Sequence, residues 1–95
     1  MAVGDTIGVP TSVDAGNYLD IQPGAGVEWD VHNIYYADAV AVEQYNGSIS
    51  SVFYTDTGAG FLGRFCFHCT NTVRIRVNNN GSGAQIIGYD GVITK

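Results

Sequence analysis

Residues 40–53 read VAVEQYNGSISSVF. Asn46-Gly47 sits between two runs in which apolar and polar residues alternate. A type I′ turn needs positive φ at both central positions, which Asn-Gly adopts with little strain, so the stretch predicts a β-hairpin. Counting outward from a two-residue loop pairs Tyr45 with Ser48, Val42 with Ser51 and Val40 with Phe53. Val40, Val42, Ile49, Ser51 and Phe53 then share one face, and Ala41, Glu43, Ser50 and Val52 the other.

The flanking sequence extends the same pattern. Thirteen glycines are spread along 95 residues, and no window keeps a helical apolar rhythm. Strands are expected over residues 3–9, ended by Pro10, and over residues 17–22, ended by Pro23-Gly24-Ala25-Gly26. In the next strand Val27, Trp29 and Val31 share a face. After Asn33 the phase slips to Ile34 and Tyr36, as at a β-bulge. A second hairpin is expected from residues 61–69 and 73–78 across Thr70-Asn71-Thr72. Its register sets Cys69 against Val73, Phe67 against Ile75 and Phe65 against Val77 inward. It sets His68 against Arg74 and Cys66 against Arg76 outward. Residues 78–83 read as a polar loop, and residues 85–95 as a last segment with a turn at Asp90-Gly91. The expected fold is all-β: one domain over residues 1–95, a single antiparallel β-sandwich or jelly roll of about eight short strands.

Charged residues make up 14% of the chain against roughly 25% in ordinary domains, so its surface is lightly protected. A domain this short has a marginal core, which raises the expectation of an oligomer or a subunit of something larger. Nine acidic against four basic residues, net −5, argues against general nucleic-acid binding. No apolar run approaches the roughly 20 residues of a membrane helix, and the start lacks the basic and apolar regions of a signal peptide. The expectation is a protein made in a cytoplasm, without membrane contact.

Asp56-Thr57-Gly58 matches the motif that carries the catalytic carboxylate of retroviral-type aspartic proteases, in which two such groups share a proton across a dimer axis. Here it lies past the midpoint of the chain. Leu62-Gly63-Arg64, which echoes the second protease motif, follows too closely to leave room for a flap. Asp, Thr and Gly between two apolar strands also make an ordinary turn, and that is the expected role of Asp56. Cys66 and Cys69 would point to opposite faces of a strand, so they are expected to be free thiols, with Cys69 buried, rather than half a zinc site. Asp56 and Asp90 fall in expected loops without the carboxylate density of a calcium site. Trp29, between Val27 and Val31, is expected in the core, and one of Tyr35 and Tyr36 at the surface. Arg64, Arg74, Arg76 and His68 are expected on one outward face. There they would either meet an acidic partner or pair with the chain's own Glu28, Asp30 or Glu43.

Three segments carry a likeness to a known group. They are residues 13–23 (VDAGNYLDIQP), residues 26–35 (GVEWDVHNIY) and residues 87–92 (IGYDGV). Together they resemble small virion proteins of tailed bacteriophages and prophages. The resemblance implies a capsid decoration (cement) protein that docks on the head shell and stabilises it, or else a fibre-associated module binding host glycans. It implies no catalytic residues, cofactor or metal. The implied partners are the major capsid protein or other virion proteins and further copies of the chain, in a trimer or other cyclic assembly on the capsid surface. Arg64, Arg74, Arg76, His68, Tyr35 and Tyr36 are the candidate contact residues.

Overall fold

Alternation of apolar and polar residues becomes strand throughout the computed structural model, which describes residues 2–63 and 66–95. Among them are ten strands: β1 (Thr6–Ile7), β2 (Thr11–Val13), β3 (Tyr18–Ile21), β4 (Trp29–Tyr36), β5 (Val40–Tyr45), β6 (Ser50–Asp56), β7 (Gly60–Leu62), β8 (Phe67–Cys69), β9 (Arg74–Asn79) and β10 (Gln85–Ile93). All pairings are antiparallel. The larger sheet runs β1-β10-β4-β7, with β2 also on β10 and β8 also on β4; the smaller runs β3-β9-β5-β6.

β1 and β2 lie end to end along β10, and β7 and β8 end to end along β4. Taking each pair as one interrupted strand leaves eight, four to a sheet. Their order is first-eighth-third-sixth in one sheet and second-seventh-fourth-fifth in the other. This is the jelly-roll form of the sandwich. The expected count of about eight differs from ten for two local reasons. The strand expected over residues 3–9 shrinks to Thr6–Ile7 because Gly4 and Gly8 have positive φ, while β2 forms beyond Pro10. The strand expected over residues 61–69 is split.

The phase slip expected after Asn33 lies one residue earlier. Asn33 pairs with Asp90 and Val31 with Gly91, leaving His32 as the extra residue of a bulge. Val31, Ile34 and Tyr36 all point inward as a result. Asp90-Gly91 is therefore no turn but the middle of β10. A Cβ on Gly91 would stand 2.1 Å from the Asp30 carbonyl oxygen, so only glycine allows this approach.

The hairpin at Asn46-Gly47 forms with a different register. The Asn46 side-chain oxygen accepts from the amides of Ser48 and Ile49 at 3.0 and 2.8 Å, widening the loop to Asn46–Ile49. Tyr45 then pairs with Ser50, Val42 with Tyr54 and Val40 with Asp56, and Phe53 is an unpaired bulge residue. Val40 and Val42 are buried as expected, but Ile49 and Phe53 are exposed.

The second expected hairpin does not form. β8 pairs with β4, and β9 pairs with β3 and β5, so the Thr70–Thr72 turn carries the chain from one sheet to the other. Cys69, Ile75 and Val77 still point inward, because alternation sets the face whatever the partner. Phe65 lies outside the described residues.

The core is aliphatic: Ile21, Val31, Ile34, Val40, Val42, Val77 and Ile87 are fully buried. Each such side chain contributes about 1.5–3 kcal/mol of transfer free energy. Trp29 is only partly buried and stacks on Tyr89 with ring centroids 6.2 Å apart. One end of the sandwich is closed by two buried amides. Gln85 Nε2 donates to Asn79 Oδ1 at 2.8 Å, while Gln85 Oε1 accepts from the amides of Ala37 and Asp38. Asn79 Nδ2 donates to the carbonyls of Val13 and Gly83.

Candidate functional site

β9 places Arg74 and Arg76 on the outer face of the smaller sheet, where alternation turns them away from Ile75 and Val77. Arg76 donates from Nε and Nη2 to both oxygens of Asp20 on β3, at 2.7 and 3.0 Å. Its guanidinium lies between the rings of Tyr18 and Tyr45, 3.6 and 4.2 Å from their centroids. Arg74 Nε faces Asp20 Oδ2 at 3.5 Å without hydrogen-bond alignment, and its guanidinium stands over Tyr45 at 4.8 Å. The Asp20 carboxylate beside it raises the Arg76 pKa. The in-chain partner of Arg74 and Arg76 is thus Asp20, not Glu28, Asp30 or Glu43. Bidentate pairing and two aromatic faces make this a brace across β3, β9 and β5.

His68 lies on the opposite side of the molecule, on the outer face of the larger sheet, because β8 and β9 belong to different sheets. It does not join the arginines on one surface, and Arg64 lies outside the described residues. Both ring nitrogens of His68 face carboxylates: Nδ1 stands 2.7 Å from Asp30 Oδ1 and Nε2 2.7 Å from Glu28 Oε1. A neutral imidazole has only one N–H, so this geometry is that of the imidazolium. The two carboxylates raise the pKa of His68, and the bond from His68 lowers that of Glu28.

Tyr35 and Tyr36 fall on opposite faces, 44% and 5% exposed. On the outside, Tyr35 lies beside the exposed Phe61 with centroids 6.4 Å apart. Its hydroxyl donates to Asp90 Oδ2 at 2.6 Å, and Asn33 Nδ2 donates to Asp90 Oδ1 at 2.9 Å. Next to this group a hollow of about 500 Å³ opens over Gly88, walled by Pro10, Ile86, Tyr35 and Asp90.

Tyr36 points inward and donates to Asp56 Oδ2 at 2.5 Å. With that proton committed, the Tyr54 hydroxyl donates to the Tyr36 oxygen at 2.7 Å. Asp56 Oδ1 accepts from the Thr57 amide at 2.7 Å. The bond from Tyr36, then that from the Thr57 amide, hold the Asp56 carboxyl below its ordinary range. Asp56 therefore ends β6 and shapes the turn into β7, as ordinary turn chemistry predicts. Cys66 is exposed and Cys69 buried, both as free thiols. Burial pushes Cys69 up to about 11.

On one side of the molecule β6 and β8 form neighbouring edges of the two sheets. β6 pairs only with β5, so its other edge is free among the described residues. Ile49, Val52 and Phe53 are exposed there. Three hollows follow one another beside β6, of about 210, 450 and 150 Å³. The first two share Gln44 and Ser51, and the last two share Phe53 and Phe67, whose rings lie 5.3 Å apart. His68 and Cys66 form part of the middle wall. Sequence reasoning missed this groove, because it depends on the four-residue loop and on the bulge at Phe53.

Compared with models of known protein families and with curated proteins, the chain matches none.

Proposed function

We propose that this protein is a structural virion component of a tailed bacteriophage: a non-enzymatic decoration protein that docks on the head shell and stiffens it by burying surface at subunit seams. The observation that carries this reading is the β6 edge, free among the described residues, with Ile49, Val52 and Phe53 exposed beside it, on a chain with few charged residues. An uncovered apolar edge of this kind is a liability in a free monomer and an asset in an assembly. The jelly roll is a fold shared by viral capsid modules and lectins, which supports the class by analogy only. The virion-like wording of residues 13–35 and 87–92 supports it independently.

In this reading the open side makes the contact, and the Arg74/Arg76/Asp20 brace holds the smaller sheet that presents it. The test is co-sedimentation with phage heads assembled without the protein. Phe53→Glu should abolish binding, whereas Ile86→Asp, on the opposite side, should leave it unchanged. Equal binding by both variants would remove the open side from the contact, and no binding by the wild type would remove the decoration role.

A second reading is favoured by one feature, the exposed Tyr35–Phe61 pair beside Asp90 and Asn33. Aromatic faces flanked by a carboxylate and an amide suit a saccharide, as a fibre-associated module would require. Glycan-array binding lost in Tyr35→Ala would favour it over decoration.

A further inference from the structure

We propose that the groove beside β6 takes an extended polypeptide segment of a partner protein, which adds as a strand to the free edge and drops alternate side chains into the row of hollows. The inference rests on the docking reading and names what the open side recognises.

Three observations identify the occupant. First, a free strand edge presents a row of backbone N–H and C=O groups, and β6 is seven residues long. The partner that matches such a row is another extended backbone. Second, the hollows form a line, with neighbours sharing Gln44 and Ser51, then Phe53 and Phe67. Side chains on one face of a strand recur every second residue, so a line of hollows fits a strand better than a compact ligand.

Third, the bulge works against the simplest alternative, a second copy's β6 paired about its centre. A twofold pairing centred on Phe53 would set Ser51 opposite Thr55. Ser51 is on the inner side, opposite Gln44, and Thr55 on the outer side, opposite Ala41. Directly paired residues must share a face. Self-pairing would therefore break at its centre and keep only three residues on either side of Phe53. An unrelated segment carries no such bulge constraint. The groove walls are mostly apolar or neutral, His68 excepted, so the segment should carry small or medium apolar residues at alternate positions.

The experiment selects a library of random linear peptides, each long enough to span β6, on the immobilised full chain. Enriched sequences are then titrated into ¹⁵N-labelled protein. The expected result is an enriched family with alternating apolar residues that shifts amide signals of β6 and β8. Ser51→Trp, which fills the central hollow, should weaken binding about tenfold or more, while Ile86→Asp should not. The signal map uses wild-type protein and stands even if Ser51→Trp fails to fold. No enriched family, or one mapping to the hollow over Gly88, overturns the proposal. So does concentration-dependent dimerisation that shifts the same amides, which would give the groove to a second copy. Peptide binding without binding to heads would fail the decoration reading alone. Head binding with unchanged β6 amides would fail this inference alone.

Discussion

Gly91 stands at a close approach of β10 and β4, and it leaves no room for a side chain. A Cβ there would meet the Asp30 oxygen at 2.1 Å and the Val31 Cα at 2.9 Å, both backbone atoms inside a ladder. Gly91→Ala must push the two central strands of the larger sheet apart. The expected cost is about 1–3 kcal/mol, or a fall in Tm on the order of 10 °C for a domain of this size. A thermal melt by circular dichroism checks it, with Gly83→Ala, where a Cβ meets nothing within 4 Å, as the comparison. The sequence marks Gly91 only as a turn residue after Asp. Nothing local distinguishes a glycine that bends the chain from one that admits a neighbouring strand. Asn79 is a similar case: it reads as part of a polar loop, yet it is buried because Gly83 and Gln85 nearby and Val13, 66 residues away, satisfy its amide.

Strands were legible wherever alternation was strong, and the faces of β8 and β9 survived even where their partners were misjudged. β9 shows why. The inward set Ile75 and Val77 follows from the two-residue period alone, but whether β9 pairs with β8 or with β3 and β5 depends on contacts across the whole fold. The Asn46-Gly47 signal located the β5–β6 hairpin, but the Asn46 side chain set its loop length, and a separate bulge at Phe53 shifted the register again and shaped the groove. The bulge also interrupts the free edge of β6, a device that limits uncontrolled edge-to-edge pairing. Val52→Lys adds a charge to that edge at an exposed position. Stability should change by less than about 0.5 kcal/mol, while aggregation on prolonged heating, followed by light scattering, should fall. Faster aggregation of the variant would mean that β6 is not the exposed liability described.

For the molecule as a whole, its ionic contacts set opposite limits on stability against pH. The Asp56, Asp90 and Glu28 carboxyls are held below their ordinary values by hydroxyl, amide and imidazolium donors. Each contributes stability above its unfolded pKa that is lost as pH falls through the lowered folded value. The raised pKa of His68 works the other way: its contribution is complete below the unfolded value and disappears as pH rises through the folded one. Chemical denaturation across pH should give a maximum on the weakly acidic side of neutrality. His68→Gln should flatten the decline above it and touch the acid limb only through Glu28, whose carboxyl loses its imidazolium donor. An unaltered alkaline limb in that variant would show that the Glu28–His68–Asp30 contact contributes nothing in solution.

The two ends of the described chain also have a defined place. Thr6 pairs with Val92, and Gly4 donates to the Ile93 carbonyl, so the amino-terminal end leaves from the β1 margin, whereas Lys95 exchanges backbone hydrogen bonds with Glu28 at the start of β4. The β1 margin is separated from β7 and β8 by the full width of the larger sheet. Cargo genetically appended at the amino-terminal end would therefore hang clear of the open side, whereas the carboxyl-terminal end lies beside Glu28, the partner of His68 on the groove wall.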